Sequence, residues 1–110
     1  MGLVIAPLKK DKLGAWKKWA ETLKGEKNKM FADFNKKYGI TRHDAWLAET
    51  PNGPVVVALH EGPGADDFMQ KVAESDGNFE TDFKQKLMEF HGMDLSGPLP
   101  GPMPVKMIES

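Results

Sequence analysis

Arg42, Asp44, Trp46 and Glu61 are the residues whose types and spacing come nearest to chemistry. The first three are two apart, so on a strand they share one face. Two carboxylates held close raise the pKa of one of them, unless an arginine neutralises the pair. Such a group can orient a polar substrate against Trp46 or supply a general base. The alternative is a structural ion pair at a sheet end, with Trp46 in the core. Arg42, Asp44 and Glu61 are therefore the catalytic candidates.

The histidines are His43, His60 and His91. On paired strands His43 and His60 become diagonal neighbours, too few for a metal site without a third ligand. No metal and no cofactor is expected. His91 ends a helical stripe, where the macrodipole favours its protonated form and a capping role. Trp16, Trp19, Met30, Phe34 and Tyr38 recur at helical spacing. They read either as core or as the lining of an aromatic ligand cavity between helix and sheet. Trp16, Phe34, Tyr38, Trp46, His60 and His91 are the candidate ligand-binding residues. No phosphate loop, serine-nucleophile elbow or dinucleotide fingerprint is present.

Elements must position these groups, and the chain is long enough to build them. Its 110 residues, 40% hydrophobic and 28% charged, fit one domain over residues 1–110 that buries a core without staples. It has no cysteine, which excludes disulfides, thiolate zinc sites and thiol nucleophiles. Neither a secretory leader nor a membrane-length apolar stretch is present, so a soluble cytoplasmic protein is expected. Residues 1–38 carry ten lysines and a balance of +6, the rest a balance of −7. That basic segment has no arginine, the commoner reader of bases and phosphates, so it reads as a solvated face and not as a nucleic-acid footprint.

Leu3–Ala6 is a continuous apolar run ended by Pro7, the pattern of a strand buried on both faces. From Asp11, a possible cap, the period turns helical through Leu13, Trp16, Trp19, Ala20 and Leu23. The stripe resumes in phase at Met30, Phe31, Phe34 and Tyr38, as one helix bent at Gly25 or as two that abut there. Ile40–Thr50 and Val55–Glu61 read as strands joined by the four-residue loop Pro51–Pro54. A tighter turn around Asn52-Gly53 would ask Pro54 for an N–H it lacks. In that register Thr50 faces Val55 and Asp44 faces Glu61. His43, Ala45, Leu47, Val56, Ala58 and His60 share the opposite face.

Phe68 and Val72 mark a short helix. Asn78 can cap the next, which runs through Phe79, Phe83, Leu87 and Phe90 to a stop at Gly92. Residues 96–110 form a proline-rich arm, with Val105–Ile108 as a last short strand.

The order strand, helix, strand, strand, helices, strand predicts an α+β, ferredoxin-like βαββαβ sandwich. Strands one and three are central in its antiparallel sheet, two and four at the edges. Helices cover one side, and the open apolar side asks for a second copy of the chain. Gly39-Ile40-Thr41-Arg42, Trp46-Leu47 with Thr50-Pro51-Asn52-Gly53, and His91-Gly92-Met93-Asp94-Leu95-Ser96 leading into Gly101-Pro102-Met103-Pro104 resemble the dimeric α+β-barrel superfamily. That superfamily includes the antibiotic-biosynthesis monooxygenases, and the chain is most similar to short uncharacterised bacterial members. The resemblance implies a homodimer with facing sheets and no one reaction. The expected function is binding of a small apolar or aromatic molecule, with a cofactor-free monooxygenase or isomerase as the alternative.

Overall fold

Three apolar or half-apolar segments pair into one antiparallel sheet, and four helices pack on one of its faces. The computed structural model describes residues 2–95 and 104–110. The order is β1 (Gly2–Pro7), a 3-10 turn (Lys10–Lys12), α1 (Leu13–Lys24), α2 (Asn28–Lys37), β2 (Arg42–Thr50), β3 (Gly53–Glu61), α3 (Phe68–Glu74) and α4 (Asn78–His91). The sheet order is β1-β3-β2, with β3 antiparallel to both neighbours. This α+β arrangement is compatible with a ferredoxin-like fold.

Among the described residues the expected fourth strand is absent. Residues 104–110 carry no strand, and Val105, Met107 and Ile108 are 76–90% exposed. An extended segment gains stability only from a neighbour that takes its backbone bonds and side chains, and among the described residues no strand pairs with it. β1, expected at the centre, is thus an edge. The expected arm's residues 96–103 lie outside the described residues.

The helical stripe breaks at Gly25. Its backbone, at φ −110° and ψ −107°, leaves helical space while its N–H still closes on Glu21 and Thr22. Asp11 sits within the 3-10 turn and does not cap α1 by its side chain, and Gly77, one residue before Asn78, is the N-cap of α4. Gly92 ends α4 in the left-handed conformation, φ +66°, as its position predicts.

The hairpin corrects the expected register by two residues: Thr50 pairs with Gly53 and Arg42 with Glu61. Pro51 and Asn52 alone make the turn, held by the Thr50 hydroxyl donating to the Gly53 carbonyl at 2.7 Å. A proline-led turn cannot be of the primed type, and Gly53 at φ +115° takes up the mismatch in twist. Pro54 is tolerated because it faces Glu49 next to the closing pair, where the antiparallel ladder asks no N–H of it. Its carbonyl instead accepts from Leu8 N–H at 2.9 Å. A shift of two preserves the faces. His43, Ala45, Leu47, Val56, Ala58 and His60 therefore lie under the helices. Leu3, Ile5, Trp46, Val55, Val57 and Leu59 lie on the uncovered face.

The core centres on Phe68 and Val72 of α3, both fully buried, with Phe34, Ile40 and Phe83 around them. A second cluster joins Leu8, Trp16, Val56 and Phe90 where α1 and α4 meet the sheet.

Candidate functional site

Between α1, α4 and the outer half of the sheet the packing leaves a cavity of about 740 Å³. Its cause is small side chains on the sheet. Ala45 and Ala58 are cross-strand partners on the covered face, and α1 sets Ala20 among the residues above them. Three alanines where larger residues would interdigitate leave a floor that nothing fills. Trp16 and Trp19 of α1, Phe31 of α2, and Phe83 and Leu87 of α4 form apolar walls. At the outer edge of β2 the lining includes Asp44 and Trp46, so all three tryptophans border one space.

The polar groups of the wall are mostly engaged. His43 Nδ1 lies 2.8 Å from Asn35 Oδ1, and His43 Nε2 lies 3.2 Å from His60 Nε2. An amide oxygen only accepts, so His43 donates through Nδ1 and accepts at Nε2 from His60 N–H. Both rings are packed by Phe68, and His43 also by Phe31. Burial, then repulsion from His60, holds His43 down to about 3, and burial holds His60 down to about 4. Both are neutral at pH 7. The expected diagonal pair is thus a direct cross-strand pair, because of the register shift.

His91 Nδ1 donates to the Pro7 carbonyl at 3.0 Å, which leaves Nε2 a lone-pair acceptor with no partner among the described residues. Burial lowers its pKa and the carbonyl bond opposes this only in part. This reverses the expected preference for the protonated form. The cause is desolvation, since an imidazole partly buried in an apolar wall resists taking up charge.

Arg42, Asp44 and Glu61 do come together, on the uncovered face at the sheet end. The guanidinium donates to Asp44 at 2.6 Å and to Glu61 at 3.4 Å, and all three side chains are 41–52% exposed. One arginine thus bonds both carboxylates, and the trio keeps a net negative charge. Of the six ligand-binding candidates, Trp16, Trp46 and His91 line the cavity. Phe34 is buried in the core beside Tyr38 and Phe68, and His60 stands behind His43. Among the described residues no group of three His, Asp or Glu side chains converges as a metal site would require.

Sequence reasoning missed Asn35, which fixes the His43 ring, and Phe83, Leu87, Ala45 and Ala58 as lining. The alanines gave no signal in the expected register, which did not set them opposite each other; they are cross-strand partners only in the observed one. Glu80 was also missed. It is 4% exposed at the start of α4 and accepts from Lys37 at 2.6 Å, Tyr38 at 2.7 Å and Ser75 at 2.8 Å. Burial would raise this carboxyl, but the three donors outweigh it and bring it down to about 2. The cluster ties the end of α2 to the start of α4. Glu80→Gln is expected to lower stability by about 2 kcal/mol, read from urea unfolding at pH 7.

Comparison with protein families, with curated proteins and with solved structures finds no match to this chain. No helix among the described residues is long and apolar enough to cross a membrane.

Proposed function

We propose that this chain binds a small apolar or aromatic molecule in the cavity beneath α1 and α4, as a homodimeric α+β-barrel protein. The observation that carries the reading is the cavity itself. Its volume of about 740 Å³ lies in the range of small-molecule sites, and its walls are aromatic with few free polar groups. Native mass spectrometry of the purified chain tests it, together with a thermal-shift screen of aromatic acids and quinones. A co-purifying molecule or a stabilising hit is expected. Ala45→Trp, which fills the floor from an exposed position, is expected to abolish the shift while leaving the circular dichroism spectrum unchanged. A screen without any hit, or a hit that survives the substitution, overturns the reading.

The dimer rests on the uncovered sheet face. Ile5 and Trp46 are 49% and 48% exposed there, flanked by Leu3, Val55, Val57 and Leu59. A second copy laid on this face would bury it and enclose the Arg42 ion pairs at its end. Analytical ultracentrifugation is expected to give a dimer at micromolar concentration, and Ile5→Glu a monomer.

A second reading, a cofactor-free oxygenase or isomerase, draws support from His91. A neutral imidazole oriented by a backbone carbonyl, with its other nitrogen unpartnered among the described residues, is equipped to accept a proton from an activated aromatic substrate. Oxygen uptake with polyphenolic substrates separates the two readings, since binding alone consumes none.

A further inference from the structure

We infer that the cavity selects anions: its ligand is an apolar body carrying an ionised carboxylate, met at the mouth by Lys17 and Lys18. The inference rests on the cavity being a binding site, and it names the class of molecule that the site prefers.

The charges bordering the cavity are unequal in their engagement. Of the two acidic residues in the lining, Glu21 is held by Lys24 at 2.9 Å and Asp44 by Arg42 at 2.6 Å. Lys17 and Lys18 also border it, are exposed, and have no acidic partner among the described residues. The mouth is therefore left with two uncompensated ammonium groups beside aromatic walls. A lysine at such a rim extends the apolar wall with its methylenes and keeps its charge at the water boundary. Low-dielectric walls also focus the field of these cations into the opening.

The lysine-rich first third of the sequence acquires a reason here. Its positive charge is lysine alone, as suits attraction of a single anionic head without the planar fork needed to read phosphates or bases. His43, deeper in the wall, does not compete for the anion, since both its nitrogens are engaged by Asn35 and His60. A ligand with its apolar part among Trp16, Trp19 and Phe83 can set its carboxylate toward Lys17 and Lys18.

The test compares two probes of one shape, 1-naphthoate and 1-naphthalenemethanol, titrated into the full chain and followed by tryptophan fluorescence. The wild type is expected to bind naphthoate about five- to tenfold tighter at low salt, with the gap closing in 0.5 M salt, where the screening length is only a few ångströms. In the double variant Lys17→Gln, Lys18→Gln, naphthoate is expected to fall to the affinity of the alcohol while the alcohol is unchanged. Lys29→Gln, Lys36→Gln removes two charges of the same segment away from the cavity and is expected to leave the preference intact. Equal binding of both probes by the wild type overturns the anion preference but leaves the cavity reading standing. Loss of preference in the distant double variant also overturns it, since general surface charge would then be the cause. Binding of neither probe removes the cavity reading, and this inference with it.

Discussion

Acidification from pH 7 to pH 4.5 is expected to remove most of the stability of this protein. His43 and His60 are neutral in the folded state, with pKa values of about 3 and about 4, against 6.5 for a free histidine. The unfolded chain therefore binds more protons than the folded one at every pH between 6.5 and those lower values. Stability is full above 6.5 and declines as the pH falls through that window. Two groups over two pH units, at about 1.4 kcal/mol per unit, give a loss on the order of 4–5 kcal/mol. That is comparable with the whole stability of many domains of this size. Below about pH 4.5 the Glu80 carboxyl adds to the loss, because its folded pKa is also depressed. Urea unfolding at pH 7.0 and 4.5 gives the difference directly. In the double variant His43→Gln, His60→Gln the difference should shrink to a small fraction of the wild-type value. Equal stability of the wild type at the two pH values would show that the pair is readily protonated in place.

Phe68→Ala is expected to be the most damaging single substitution, at about 3–5 kcal/mol. Phe68 is wholly buried, and its ring lies 5.6 Å from Phe34, 5.8 Å from Tyr38 and 4.7 Å from His60, centre to centre. It thus joins α2, α3 and the histidine pair at one point. Truncation leaves a cavity on that junction, and a ring-sized void beside two neutral imidazoles admits the water that would let them charge. Phe68→Leu fills much of the space and should cost about half as much. Chemical denaturation at pH 7 measures both, and a loss below about 1 kcal/mol for the alanine variant would place the core elsewhere.

The strands and their faces were legible because period two survives any even shift of register. His43, Ala45, Val56, Ala58 and His60 were grouped correctly although each pair was assigned two positions away. The error lay in Pro54. A missing N–H excludes a residue from half the positions of an antiparallel ladder, and Pro54 occupies one of the other half. His43 and His60 consequently meet head-on, and Arg42, not Asp44, stands opposite Glu61. Phe34 and Tyr38 were indistinguishable from Trp16 by spacing, since a stripe shows which side is buried and not whether the space beneath it is full. That fullness depends on Ala45 and Ala58, which come together only in the folded sheet. Asn35 and Glu80 were invisible for a related reason, because their partners arrive from other elements.

The pairing of β1 with β3 also sets a timetable for the chain as it is made. The hairpin of β2 and β3 closes through two residues, but Ile5 meets Val57 only after about fifty further residues have been synthesised. At roughly 5–20 residues per second that interval is on the order of 3–10 s. Throughout it Leu3-Val4-Ile5-Ala6 is an apolar strand with both edges and both faces unmet, the kind of segment that aggregates or recruits a chaperone. The partner it waits for is itself half of a fast local hairpin, so translation, and not the docking of the strand, sets the length of its exposure.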